Sequence, residues 1–179
     1  MLVDNCHDIN FLRIETNELA NVYTGLAKLT MLKTLYLVLD GNTECKAFEE
    51  CKSIPSLKKF VVSGTWIENQ LDFYKGLPTI MPNLSELILN VPSFGDSCLK
   101  IICNNIVSLK SLALEDCFLV TDKGFEYLGQ LPHLFRLSLK NFGNQVGLFQ
   151  RISSTNVNSL SLYNCDRVGR QLVAMVLLY

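Results

Sequence analysis

Residues 109–117 read Leu109-Lys-Ser-Leu112-Ala-Leu114-Glu-Asp-Cys117, and their spacing of apolar residues recurs along the whole chain. The pattern apolar-x-x-apolar-x-apolar occurs seven times in 179 residues, with successive copies beginning 23, 25, 27, 25, 25 and 23 residues apart. So regular a period indicates an internal repeat. The seven copies are Ile9-Leu12-Ile14, Leu32-Leu35-Leu37, Leu57-Phe60-Val62, Leu84-Leu87-Leu89, Leu109-Leu112-Leu114, Leu134-Leu137-Leu139 and Val157-Leu160-Leu162.

Each copy predicts one short β-strand followed by a helix. The last two apolar residues of a copy are two positions apart, so they lie on the same face of a strand. After the strand, apolar residues recur every three or four positions, which is typical of a one-sided helix. The clearest helical segments contain Phe48-Cys51-Ile54, Leu99-Ile102-Ile106 and Phe125-Leu128-Leu131.

The predicted helices also have start and stop signals. Thr121-Asp122 and Asp96-Ser97 offer short oxygen side chains that can accept hydrogen bonds from the free N–H groups of a helix start. Proline stands two residues before the leucine that opens the next copy, where a helix has to end. These prolines are Pro55, Pro82 and Pro132.

The repeats must stack, because one strand and one helix cannot bury their apolar faces alone. We therefore predict an α/β solenoid, or horseshoe, of about seven repeats of 23–27 residues, with a parallel sheet on its concave side and helices outside. This plan resembles the leucine-rich-repeat family, whose L-x-x-L-x-L-x-x-N/C signature and period of roughly 20 to 29 residues it shares. We expect residues 1–179 to form a single leucine-rich-repeat domain.

Two copies resemble the cysteine-containing subtype that is found in the repeat region of F-box leucine-rich-repeat proteins. In one copy, Cys117 lies three residues after the last strand leucine and is followed by Val120-Thr121-Asp122-Lys-Gly124; a looser version contains Cys165. We expect both cysteines to fill the turn from strand to helix, which is a structural role. The other five copies have Asn17, Asp40, Thr65, Pro92 and Phe142 at this position.

Both ends of the chain look like the interior of a repeat array. Residues 2–9 are similar to residues 101–106, which precede Leu109, and the chain stops inside another apolar segment at residues 172–179. Terminal repeats of a solenoid normally have polar caps. We therefore expect an internal piece, or a shortened relative, of a longer repeat protein, with any F-box lying upstream of this chain.

Composition argues against several classes of function. The chain has 16 Lys+Arg and 17 Asp+Glu, so its net charge of -1 provides no overall attraction to nucleic acid or to a membrane surface. Its longest apolar run, Leu172–Tyr179, is too short to span a bilayer, and no secretory signal is visible. Seven cysteines without a CxxC pair favour free thiols in a reducing compartment, the cytoplasm or nucleus.

The sequence contains no motif that would indicate an enzyme. Phosphate-binding, dinucleotide-binding, nucleophile-elbow and zinc-protease signatures are all absent from it. With only two histidines, no metal site is spelled out either. We therefore expect no catalysis, no cofactor and no metal.

Binding is expected instead on the concave face of the sheet. The central outward positions of the strands hold Arg13, Tyr36, Val61, Ile88, Ala113, Ser138 and Ser161. Four neighbours, Tyr36 to Ala113, form an apolar row about 15 Å long, with Ser138 beside it. β-Branched residues also suit strands for purely structural reasons, so that interpretation stays open. Predicted rim residues are Lys33, Lys58, Lys59 and Lys110 on one flank, and Glu15, Asn90, Glu115 and Lys140 on the other.

Trp66-Ile67 lies in the longest copy and has two possible roles. It is either a second partner contact at the edge of the sheet, or its aromatic residue fills a lengthened turn.

The family resemblance implies a protein-interaction function. On this basis the chain would hold the substrate of an SCF-type ubiquitin ligase, with the Skp-type adaptor and cullin bound only through an upstream F-box. The alternative is a leucine-rich-repeat scaffold or regulator that resembles ribonuclease inhibitor and is unrelated to ubiquitin. An extracellular receptor fits poorly, because the sequence shows neither a signal nor disulfide-capped ends.

Overall fold

The computed structural model describes residues 8–16, 25–44, 52–68, 70–142 and 155–165. Within these ranges the chain forms strands β1 Phe11–Thr16, β2 Thr34–Glu44, β3 Lys59–Glu68, β4 Glu86–Asn90, β5 Ser111–Glu115, β6 Arg136–Lys140 and β7 Ser159–Tyr163. The helices are α1 Gln70–Ile80, α2 Asp96–Asn105 and α3 Asp122–Phe125, and α3 continues as the 3-10 helix η1 Glu126–Gln130.

The seven strands form one sheet in chain order, and every pair is parallel. The register places equivalent positions of the sequence repeat side by side. For example, Leu87 pairs with Leu112, which pairs in turn with Leu137. The predicted α/β architecture with a seven-stranded parallel sheet is therefore confirmed, and the strands lie where the apolar spacing placed them.

Stacked leucines form the core along one face of this sheet. The central ladder residues of the inner strands are fully buried, whereas Leu12 and Leu160 on the outer strands are half-buried. Leu99 and Ile102 of α2 close over this layer from the helical side. A run of aromatic rings fills the wider space beneath α1, with centroids 5.0 to 6.4 Å apart, and comprises Phe60, Phe73, Tyr74 and Phe94.

The helical side differs from the prediction in two places. The segment with Phe125, Leu128 and Leu131 is one α-turn followed by a 3-10 helix, because Gly124 and Gly129 lower its helix propensity. Helix α2 begins after Gly95, which caps it without a side-chain hydrogen bond. The predicted capping role of Asp96 is therefore wrong, and its carboxylate binds the next repeat instead.

The predicted lengthened turn at Trp66-Ile67 is a strand. β2 and β3 both extend beyond the repeat pattern, and after an irregularity between Leu39 and Asn42 they pair again, with Trp66 opposite Asn42. The additional residues of the longest copy are thus accommodated by a longer pair of strands, because backbone hydrogen bonding across the pair satisfies their polar groups.

Several sequence predictions lie outside the described residues. These are the helical positions Phe48 and Cys51, the position Asn17, and the terminal segments 2–7 and 166–179. Within the described part of the chain, every helix is too short or too polar to cross a membrane.

The leucine ladder gives a direct test of the packing. Replacing Leu112 by Ala removes atoms from a fully buried site, and we expect the unfolding free energy to fall by roughly 2 to 5 kcal/mol. Leu119→Ala deletes the same atoms from a side chain that is 57% exposed, so it should change stability by less than about 0.5 kcal/mol. Urea denaturation measures the unfolding free energy of both variants. An equal decrease in the two would contradict the assignment of the core face.

Candidate functional site: the open face of the sheet

The open face is the side of the sheet that points away from the leucine core. Its central row runs across all seven strands, since each residue pairs with its equivalent on the next strand. Arg13 is exposed and the others are half-buried. The row consists of Arg13, Tyr36, Val61, Ile88, Ala113, Ser138 and Ser161. The structure thus brings together all five residues predicted for the partner-binding face.

The apolar surface is larger than the predicted row. Phe11 on β1 is 54% exposed, and its ring centroid lies 5.2 Å from that of Tyr36. Val38, between Glu15 and Ser63 in the register, adds a further half-buried apolar side chain. We call the six residues Phe11, Tyr36, Val38, Val61, Ile88 and Ala113 the apolar patch. Phe11 and Val38 lie two positions from Arg13 and Tyr36 on their strands, so strand alternation places them on the open face too. Applying the alternation to every outward position of the strands would have predicted them from the sequence.

Two ion pairs lie at the margins of the open face. Lys59 Nζ is 3.4 Å from Glu86 Oε2, and Lys140 Nζ is 3.3 Å from Glu115 Oε2. Each pair joins register partners on neighbouring strands. Exposed pairs of this kind contribute about 0 to 1 kcal/mol to stability. Their main consequence is that the charges of the predicted rim residues Lys59, Glu115 and Lys140 are locally neutralised, together with that of Glu86.

Three further predicted rim lysines form a row along the amino ends of the strands. Lys58 N–H donates to the Lys33 carbonyl at 2.9 Å, Ser85 N–H donates to the Lys58 carbonyl at 2.9 Å, and Lys110 N–H donates to the Ser85 carbonyl at 2.8 Å. The backbone therefore places Lys33 and Lys58 on adjacent rungs and Lys110 two rungs farther on, with Ser85 on the rung between. We call these three exposed residues the lysine row.

A shallow depression lies at the opposite end of β1–β4. It has a volume of about 430 Å³, opens to solvent, and includes the predicted rim residues Glu15 and Asn90 in its wall. Gly64 forms part of its floor, where a Cβ atom would stand 2.6 Å from the Leu39 carbonyl oxygen. Glycine is therefore required for the close approach of β2 and β3 at this point. Trp66 lies farther along β3.

The cysteine turns have the structural role that was predicted. Cys117 is fully buried, and its thiol donates to the carbonyls of Leu89 at 3.6 Å and Glu115 at 3.2 Å. Cys165 repeats this arrangement with Leu139 at 3.5 Å and Tyr163 at 3.3 Å. Each thiol thus links its own strand end to the strand of the preceding copy.

A ladder of Asp and Asn side chains accompanies these turns and was missed by the sequence reasoning. Asn141 Nδ2 donates to Asp116 Oδ1 at 2.6 Å, and Asn164 Nδ2 donates to Asn141 Oδ1 at 2.7 Å. All three residues have φ between 52° and 63°, a left-handed conformation that Asn and Asp tolerate better than most residues. Their recurrence two positions after the last strand leucine is the signal that would have revealed them.

The Thr-Asp-x-Gly part of the cysteine-containing motif connects two repeats. Asp96 Oδ1 accepts from Thr121 N–H at 2.7 Å, and Asp96 Oδ2 accepts from Thr121 Oγ1 at 2.6 Å. The Thr121 hydroxyl also accepts from Lys123 N–H at 3.2 Å, so its predicted capping role is confirmed. Gly124 lies against Asp96, and a Cβ atom there would collide with Oδ1.

Burial suppresses the reactivity of Cys98, Cys103 and Cys117. Desolvation raises the pKa of the Cys103 and Cys117 thiols to about 12, and it also raises the pKa of Cys98. The thiolate is the nucleophilic form, so these buried thiols are poorly suited to chemistry at neutral pH.

The two glycines of the α3–η1 segment give a matched pair of variants. Gly124→Ala should lower the unfolding free energy by roughly 1 to 3 kcal/mol, since the new methyl group displaces the Asp96 carboxylate from Thr121. Gly129→Ala meets no atom within 4 Å and should be neutral or slightly stabilising. Thermal or urea unfolding measures both, and an equal effect of the two substitutions would disprove the contact with Asp96.

The buried thiols also predict a pH dependence of stability. The Cys103 thiol has a pKa of about 12 in the folded state and an ordinary value of 9.0, so the unfolded state loses its proton first as pH rises. The resulting stabilisation is complete below about pH 9 and is lost as pH rises toward about 12. Urea unfolding at about pH 8 and about pH 10.5 should show a fall that is about 1 to 2 kcal/mol larger for the wild type than for Cys103→Ala. Parallel losses in both proteins would refute this.

Comparison with known proteins does not identify a family for this chain. No protein-family model matches the sequence, and no curated protein is significantly similar to it. Among the residues that the structure describes, no three His, Cys, Asp or Glu side chains are grouped so that they could hold a metal ion.

Proposed function

We propose that this chain is a leucine-rich-repeat domain that binds a protein partner on the open face of its sheet, which would be the concave side of a horseshoe. The observation that carries the proposal is the apolar patch. Its members lie side by side on five strands, remain partly accessible, and are bordered by charged residues. An apolar centre within a polar rim is the usual composition of a protein–protein interface.

The more specific proposal is substrate recognition for an SCF-type ubiquitin ligase. It is supported by the cysteine turn of residues 117–124, in which each motif position has a distinct contact: Cys117 with Leu89 and Glu115, and both Thr121 and Gly124 with Asp96. The motif resembles that of F-box leucine-rich-repeat proteins. In this proposal the adaptor and cullin bind an F-box segment upstream of the repeats, and this domain holds the target without catalysing a reaction.

A scaffold or regulator that is unrelated to ubiquitin is the second candidate. It is favoured by the five copies that lack the cysteine, since Pro92 and Phe142 occupy its position on the two described turns nearest to Cys117. Both candidates use the open face, so they differ in the assembly that the protein joins and not in the surface that it presents.

The binding face can be tested with one charged substitution. Ile88→Glu places a carboxylate at the centre of the apolar patch, where burial by a partner would leave that charge unpaired, and we expect loss of binding by about 100-fold or more. Because Ile88 is half-buried and lies outside the leucine core, the variant should retain wild-type circular dichroism and nearly wild-type stability. Partners crosslinked to the wild type in cells and identified by mass spectrometry provide the readout. Undiminished capture by folded Ile88→Glu would exclude the open face.

The two candidates are separated by the composition of the complex. The protein encoded by the complete transcript should be affinity-purified and analysed for the Skp-type adaptor and cullin. Stoichiometric recovery of both supports the ligase proposal, and the cysteine turn then identifies the subtype of repeat. Recovery of partners without either protein favours the scaffold.

A further inference from the structure

We propose that the partner of the open face is an acidic polypeptide segment with aliphatic or aromatic side chains, which places its carboxylates on the lysine row and its apolar residues on the apolar patch. This inference rests on the proposed function, and it specifies the chemistry of the partner. It follows from the arrangement of charge around the patch.

The lysine row is the principal source of unneutralised charge beside the patch. Lys33, Lys58 and Lys110 are exposed, and none of them forms an ion pair with another residue in the described part of the chain. The one carboxylate on the same flank of β2–β5, Glu86, is already paired with Lys59. Three lysines within four successive rungs therefore present positive charge that a partner can neutralise.

The opposite flank has the reverse sign. Glu15 is exposed at the carboxyl end of β1 and Asp116 follows β5, whereas Glu115 is neutralised by Lys140. An acidic segment is thus attracted to one side of the apolar patch and repelled from the other. Complementarity of this kind defines the orientation of a partner as well as its affinity.

The geometry matches one continuous segment. Each lysine of the row lies immediately before a strand that carries part of the apolar patch, three positions ahead of the central open-face residue of that strand, as Lys33 lies ahead of Tyr36. Strands in a sheet are about 4.8 Å apart, so both rows span about 15 Å from β2 to β5. A helix of about ten residues or an extended segment of about five covers that distance.

The apolar patch favours a polypeptide over the other common polyanions. Nucleic acid would bring phosphates close to Glu15 and Asp116 and would leave Val61 and Ile88 without apolar contacts. Nucleic-acid interfaces are more polar and more positively charged than this surface. A segment with both acidic and apolar side chains satisfies both rows at once.

The test is a display selection on the folded domain. Random peptides of about 12 residues, a length typical of grooves that bind a helix or a strand, are selected on the wild type, and the sequences and affinities of the enriched peptides are measured. We expect net-negative peptides that contain large apolar residues. The triple variant Lys33→Glu/Lys58→Glu/Lys110→Glu should weaken their binding by about tenfold or more at low salt, with a smaller effect at high salt. The control is Lys75→Glu/Lys100→Glu/Lys123→Glu, which changes net charge equally on the helices and should leave affinity within about twofold.

The outcomes distinguish this inference from the proposed function. If the selected peptides are neutral or basic, or if they bind the lysine-row variant as tightly as the wild type, the acidic partner is wrong, whereas their loss on Ile88→Glu still supports the open face. If Ile88→Glu also binds normally, both proposals fail. Lysine-row-dependent binding of single-stranded DNA of about 20 nucleotides or of phosphatidylserine vesicles, at an affinity matching the peptides, would likewise overturn the inference.

Discussion

The stacking of one leucine ladder on the next is the contact on which the rest of this structure depends. A single copy has a strand of five residues, such as β5, and at most a short helix, which is too little apolar surface to offset the loss of chain entropy. Leu112 is fully buried because Leu87 and Leu137 flank it in the sheet and the helices close over all three. Each repeat is therefore stabilised mainly by its contacts with the repeats on either side.

This mode of packing leaves the other face of the sheet uncovered by the core. The helices pack against only one face of the sheet. Residues that point to the other face, such as Ile88 and Ser138, therefore do not have to fill the core as the leucines do. What these positions contain then varies from copy to copy, and the result is a surface that is apolar at one end and polar at the other. In the proposed function, this variable surface is the one that binds the partner.

At the carboxyl ends of the strands, polar side chains of the turns connect one repeat to the next. The thiols of Cys117 and Cys165 each donate to a carbonyl of the strand in the preceding copy, Leu89 and Leu139. The Asp116–Asn141–Asn164 ladder links these two turns through side chains, with the turn of Asn141 between them. The side-chain ladder thus includes all three turns, whereas the thiol contacts occur only in the first and the last of them. The first half of the chain instead uses extended strands at β2 and β3.

The sequence by itself determined the seven strands, their parallel order, the core leucines and the central row of the open face. All of these follow from a short-range pattern, since alternation within a strand and a period near 25 residues require no knowledge of distant contacts. Only the tertiary structure decided that Asp96 binds Thr121 and excludes a side chain at Gly124, that Phe11 packs on Tyr36, and that Trp66 continues a strand. Each of these depends on atoms from different repeats meeting at a particular distance. Such distances are set by how the whole stack packs, and no local spacing encodes them.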